Sequence, residues 1–377
     1  MRVCLICNQI AAWGKIGGFG TAARAIGAGL ARRGVEVHAV VPRREQFGQQ
    51  AVEVLDGITV HATSSRDTMF SGEIFRQINA DIYHSQEPTI ASRHAQRAMP
   101  GALHIVTCRD PRSLGDHLTE LRHTNLQRRL LWPVTWWYEV SPWVREAVRR
   151  ADAVFCPARC LKTKIRRLYG KSVEAHFVPS PVTLPAQTPV KAKEPTAIFV
   201  GRWDRRKRIE RFFELAQQFP NVRFLAVGKA HDDRYDRQLR RTYGDLPNLE
   251  MPGFVSRFDQ PGLDQLYERS WILINTSARE ALPYTFVEAT AYGCAILCND
   301  DPDRFATRYG CLVRDNDFAR GLTHLLKNDR WRPLGELAAR ETAQTFREEN
   351  SIDQHLQWYE RLLGEKNSTT HRSRRAA

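Results

Sequence analysis

At 377 residues, with 42% apolar and 26% charged side chains, the chain is neither disordered nor fibrous, and it is longer than one hydrophobic core usually supports. A formal charge of +14 favours an anionic partner: nucleic acid, lipid headgroups or a phosphorylated substrate. No apolar run reaches the roughly 18 to 20 residues of a bilayer span, and MRVCLICNQI lacks the marks of a signal peptide, so the expected compartment is the cytoplasm, with eight reduced cysteines.

In chain order, VCLIC (3–7), TAARAIGAGLARR (21–33), VEVHAVV (35–41), ITVHA (58–62), DIYHS (81–85), LHIVTC (103–108) and DAVFC (152–156) alternate strand-like and helical patterns. That alternation predicts a parallel sheet with crossover helices. Cys4 and Cys7 lie inside the first strand, where packing outweighs redox chemistry, and Gly34 follows the first helix as a C-terminal cap. GFGTAA (18–23) formally matches a dinucleotide fingerprint. The strand before it ends near Asn8, however, leaving a long loop where a pyrophosphate turn must be tight, which argues against a nicotinamide-dependent oxidoreductase.

RRLLWPVTWWY (128–138), with Trp143, Arg149 and Arg150 beyond it, concentrates aromatics and cations. Two readings stay open: a packed helix lining an acceptor cleft, and an interfacial segment touching an anionic membrane. The proline-rich, aromatic-free residues 184–195 read as a semi-rigid linker between a first domain, 1–183, and a second, 196–349. SIDQHLQWYERLL lies within a final helix, 350–366, and the polar, basic residues 367–377 compose a disordered tail.

The second domain opens with AIFVG (197–201), followed by RFLAVG, WILINT and AILCN. In GRWDRRKR (201–208) cations crowd the start of a helix, against its dipole, by up to about 1 kcal/mol each at a surface. A bound phosphate would resolve that conflict, with Arg202 and Lys207 as ligands; a solvated basic face is the alternative. EALPYTFVE (280–288) follows WILINT, placing Glu280 in a strand–helix loop and Glu288 in the early helix, with Pro283 suited to the first turn. N–H groups near Tyr284 and Thr285 can hold phosphate, and the carboxylates can accept paired bonds from sugar hydroxyls, although dipole compensation would also explain one glutamate. DPD (301–303) reads as a turn and not as a metal site.

Arg202 with Lys207, and Glu280 with Glu288 in a motif that continues as EATAYG, resemble the donor-site signatures of retaining GT-B glycosyltransferases, specifically glycosyltransferase family 4 (glycosyl transferases group 1). The resemblance spans nearly the whole chain. It implies an α/β protein of GT-B type: two Rossmann-like domains facing a cleft, with a C-terminal helix crossing back to the first. It also implies sugar transfer from a nucleoside diphosphate sugar to a hydroxyl of a glycan or lipid-linked acceptor, with no metal. The alternative for so basic a chain is a nucleic-acid-binding protein, but neither zinc-ligand spacing nor an aromatic ribonucleoprotein motif is present, so no nucleic acid is expected.

By position, the resemblance assigns Arg202 and Lys207 to the donor diphosphate, Glu288 to ribose, and Glu280 with Ala281, Leu282, Pro283, Tyr284 and Thr285 to the transferred sugar. Gly253 and Phe254 fall to the base, while Gly17 and Gly18 approach the phosphate from the other side. Glu280, Arg202, Lys207 and Arg109 are the candidate catalytic residues. Two departures from the family pattern stand out: Arg109 where a histidine is common, and Ala281 where a glycine is usual.

Overall fold

The computed structural model describes residues 1–11, 17–43, 49–64, 72–122, 130–255 and 262–376. The chain forms two compact units. One contains Met1–Leu118, Asn125–Pro181 and Glu348–Ala377; the other contains Thr119–Thr124 and Val182–Arg347.

Eight strands build the sheet of the first unit: β1 (Arg2–Ile6), β2 (Glu36–Pro42), β3 (Val52–Leu55), β4 (Ile58–Thr63), β5 (Ile82–Ser85), β6 (Leu103–Thr107), β7 (Ala153–Cys156) and β8 (Ala175–Phe177). Their order is β3-β4-β2-β1-β5-β6-β7-β8. Because side chains alternate across a strand, Val3 and Leu5 of β1 enter one core while Cys4 and Ile6 enter another on the opposite face. Helix Gly18–Arg32 and the last helix, Glu348–Ala376, cover the first face through Ile26, Leu30, Ile352 and Tyr359. Cys7 belongs to that same core, and burial pushes its thiol up to about 12, so Cys4 and Cys7 are packing residues.

The parallel reading of this sheet fails at one edge. β3 runs antiparallel to β4, joined by Asp56 and Gly57 with φ of +51° and +83°. Two successive residues at positive φ make the tight turn that an Asp-Gly pair favours, so VEVLDGITV is a hairpin. The last helix also continues through residues 367–376, where composition suggested a tail; after Gly364 no glycine or proline interrupts it.

The second unit carries β9 (Thr196–Val200), β10 (Arg223–Val227), β11 (Leu249–Gly253), β12 (Ile272–Asn275), β13 (Ala295–Cys298) and β14 (Gly310–Leu312). All pairs are parallel, in the order β11-β10-β9-β12-β13-β14. Phe212, Phe213, Phe224, Trp271 and Trp331 fill its core. The proline-rich stretch is strapped to this unit: Lys191 Nζ donates to the carbonyls of Ser270 and Tyr292 at 2.6 Å each, and the Trp271 indole donates to Ala192 O at 2.9 Å. Entry and exit lie side by side, with Val182 N donating to Phe346 O at 2.8 Å.

Candidate active site

Strand order fixes where a ligand fits in the second unit. From β9 the chain moves outward to β10 and β11, then returns to lay β12 on the other side of β9. The carboxyl ends of β9 and β12 therefore flank the point where the winding reverses, the position at which open α/β sheets bind ligands. The loop after β9 carries Arg202 to Arg208, and the loop after β12 carries Glu280.

Those loops are zipped together by their backbones. Ala278 N donates to Arg206 O at 2.8 Å, and Thr276 Oγ1 donates to the carbonyls of Lys207 and Arg208 at 2.7 and 3.0 Å. On this frame the Lys207 ammonium pairs with Glu280 Oε1, which also accepts from Asn275 Nδ2 at 3.3 Å. Asp300, beyond β13, accepts from Glu280 N at 3.0 Å and fixes the loop from a third strand. Lys207 and Glu280 keep 24% and 14% of their side-chain surface, so both remain within reach of a ligand.

Asp204 organises the remaining cations. Its Oδ1 accepts from Arg206 N and Lys207 N at 3.1 and 3.0 Å, while Arg202 and Arg206 approach Oδ2 at 3.7 and 3.6 Å. Burial alone would raise the Asp204 carboxyl, but Arg206, Arg202 and the Lys207 N–H outweigh it and hold the group below its ordinary value. Arg208 is an internal tie. At φ +49° it donates to Thr276 O at 2.5 Å, Asn316 Oδ1 at 3.0 Å and Ser277 O at 2.9 Å, and burial with the neighbouring Arg211 brings its guanidinium down to about 10. The basic run is therefore no uniform solvated face.

The rim beside it is built of close backbone. Gly228 N, just past β10, donates to Gly253 O at 2.7 Å, and a Cβ on Gly228 would stand 1.9 Å from the Gly201 carbonyl oxygen. Only glycine fits there, at φ +130°. Gly253, the last residue of β11, has φ +82°, and Phe254 after it is exposed.

Pro283 precedes the helix Tyr284–Ala291 and does not sit in its first turn. Leu282 and Pro283 are buried, whereas Ala281, Tyr284 and Thr285 are half-buried. The first turn holds no acid, so dipole compensation does not account for Glu288, which lies in the second turn. Glu288 is 4% exposed, and its Oε2 accepts from the hydroxyl of Tyr267, on helix Gly262–Arg269, at 3.0 Å. Its carboxylate is thus oriented from behind.

In the first unit, Gly17 opens the helix Gly18–Arg32, and Ala11 N donates to Gly20 O at 3.0 Å, so the first turn of that helix packs against Ala11. A Cβ on Gly17 would lie 3.0 Å from Gln9 Oε1. Arg109, the catalytic candidate of this unit, is enclosed. It is 3% exposed, with Nη1 donating to Ser180 Oγ at 2.7 Å and Nη2 to Gln86 Oε1 at 2.5 Å. It braces the interior and ties the segment that leaves this unit.

Four contributors escaped the sequence reading: Asp204, Asn275, Tyr267 and Asp300. Asp300 stands beside the DPD turn, where Asp301 accepts from Ala306 N at 2.9 Å and caps the helix Phe305–Tyr309. Among the described residues, no group of three or more His, Cys, Asp and Glu side chains could hold a metal ion.

The family model Glycosyl transferases group 1 matches residues 183–333, and the model Glycosyltransferase Family 4 matches residues 16–184. Among solved structures the chain is similar to sucrose-phosphate synthase from Thermosynechococcus elongatus, with a TM-score of 0.76 at 17% identity, covering 97% of this chain and 99% of that one. It is also similar to Anabaena HepE in complex with UDP-glucose, at TM-score 0.70 and 14% identity over 98% and 100% of the two chains. The pneumococcal O-GlcNAc transferase GtfA, in complex with UDP and GlcNAc, gives a TM-score of 0.70 at 10% identity over 96% and 99%. No curated protein sequence matches the chain. With one of the two family models on each half and these folds alongside, the chain is a glycosyltransferase of the GT-B type.

Proposed function

We propose that this protein transfers a hexose from a nucleoside diphosphate sugar to a hydroxyl of a glycan or lipid-linked acceptor, with retention of anomeric configuration. The observation carrying this reading is the pairing of Lys207 with Glu280 across the winding reversal of the second sheet. Relatives in complex with UDP-glucose, or with UDP and GlcNAc, support the donor class.

On this reading the diphosphate takes up Lys207 and Arg202, and Glu280 turns from the ammonium to the hydroxyls of the sugar. A cation exchanging a carboxylate for a departing diphosphate stabilises charge where it develops, so the cations supply what a divalent metal supplies elsewhere. Glu288, held by Tyr267, accepts the ribose hydroxyls, and the rim at Gly253 and Phe254 receives the base. The acceptor oxygen attacks on the face that the leaving group vacates, its proton passing to the diphosphate.

The test is a panel of UDP-, ADP- and GDP-sugars, scored by release of nucleoside diphosphate and by thermal shift, with and without chelator. Turnover of one donor that survives chelation and gives a product of unchanged anomeric configuration is expected. No response to any sugar nucleotide overturns the proposal.

A further inference from the structure

Six of the eleven large apolar side chains exposed among the described residues fall between positions 114 and 143: Leu114, Leu118, Leu130, Leu131, Val134 and Trp143. The centre of this cluster is the helix Trp132–Val140, whose sequence WPVTWWYEV has a single charge. A helix so apolar belongs in a core, yet only Val140 is buried, and Leu130 and Leu131 at its start are 73% and 60% exposed. One side is spoken for: Tyr138 donates to Asn8 Oδ1 at 2.9 Å, at the end of β1. Trp132 meets His117 at 6.2 Å and Trp137 meets Trp143 at 6.1 Å, both edge to face, so the helices of the cluster form one surface.

Cations adjoin that surface. Helix Pro142–Arg149 packs between the apolar helix and the helix Leu161–Tyr169. From 149 to 171 the exposed charged side chains are Arg149, Arg150, Arg159, Lys162, Arg166, Arg167 and Lys171, against one exposed acid, Asp152. Arg128 and Arg129 lie outside the described residues.

We propose that this face of the first unit docks on an anionic bilayer surface. Leucine and tryptophan enter the boundary between headgroups and acyl chains, and the flanking guanidinium and ammonium groups meet lipid phosphates. A second copy of the chain is the poorer occupant. A two-fold interface sets each patch against itself, bringing two sets of like charges together, whereas an anionic membrane supplies the opposite sign.

The experiment is co-sedimentation of the full chain with vesicles of phosphatidylcholine alone or mixed with phosphatidylglycerol, at low and high salt. Binding to the mixed vesicles is expected, weaker by about tenfold without phosphatidylglycerol or at high salt. The pair Leu131→Glu and Val134→Glu, both at exposed positions, should abolish binding without lowering the melting temperature. Arg166→Glu with Arg167→Glu should weaken binding at low salt only. Absence of co-sedimentation at low salt overturns the proposal, as does unchanged binding by the Leu131→Glu, Val134→Glu variant. A concentration-dependent dimer abolished by that variant, without vesicle binding, assigns the face to a second copy instead. No donor enters these assays, so failure of the transferase reading leaves them intact.

Discussion

At the scale of single residues, the cations after β9 divide by partner, although the sequence presents them as one run. Lys207 faces Glu280, Arg202 and Arg206 face Asp204, and Arg208 faces backbone carbonyls and Asn316. Substitution should separate them. Lys207→Ala removes a charge that the transition state needs more than the bound donor does, so kcat should fall by about 10²- to 10³-fold, with KM changed only a few-fold. Steady-state kinetics on a responding donor checks this; an equal rise in KM with kcat untouched would place Lys207 in ground-state binding alone. Arg208→Ala should act on the fold, leaving three acceptors without their donor and costing about 2 kcal/mol. A denaturant midpoint lowered for Arg208→Ala, but not for Arg202→Ala, is the expected contrast.

At the scale of elements, what was legible in the sequence is what one element carries by itself. GRWDRRKR and EALPYTFVE are contiguous, so residue type and spacing expose them directly. Asp300 acts on Glu280 from beyond another strand, β13, and nothing local marks it until strand order is known, whereas Asn275 ends the strand that leads into the Glu280 loop itself. The surroundings of Arg109 are hidden for the same reason: its neighbours suggest a strand-end loop, but its burial depends on Ser180 and Gln86, which only the fold brings to it. The hairpin at Asp56 and Gly57 is legible in principle, since the pair sits between two β-prone runs, but the parallel pattern of the surrounding strands masks it. Glu288 is the case where one helix tunes another. Tyr267→Phe deletes the hydroxyl behind the carboxylate at almost no change in volume, and should raise donor KM roughly five- to thirtyfold at nearly constant kcat, the loss of about 1 to 2 kcal/mol. Calorimetric titration with the nucleoside diphosphate measures it; unchanged affinity would mean that Glu288 needs no support or does not hold the ribose.

At the scale of the whole molecule, the returning helix is fastened to the first unit by a buried polar cluster with a pH dependence of its own. His84 Nδ1 meets the Tyr359 hydroxyl at 2.6 Å, and His84 Nε2 meets Thr107 Oγ1 at 2.7 Å. One helical turn before Tyr359, His355 shares a 2.8 Å hydrogen bond with Ser351 O, while Ser351 Oγ donates to Pro179 O at 2.5 Å. Burial, followed by the charges of His355 and Arg109, drives His84 well below its usual value; burial above all, with Arg109 adding to it, takes His355 down to about 4. Both imidazoles are therefore neutral when folded, whereas the unfolded chain protonates them near 6.5. Below that pH the unfolded state binds more protons than the folded one, so stability is complete above pH 6.5 and declines as pH falls toward 4. For His355 alone the span between those two values corresponds to roughly 3 kcal/mol. Chemical denaturation at intervals across this window should show the decline, and His355→Leu should flatten its acid limb even if it lowers stability at neutral pH. Equal slopes for the variant and the natural chain would place the acid sensitivity outside this cluster. Because the cluster holds the first unit's ends of the two chain crossings, at Pro179 and Ser351, its protonation should release the final helix before the first sheet melts. Hydrogen exchange at pH 5 would then reach residues 348–362 earlier than β1 and β5.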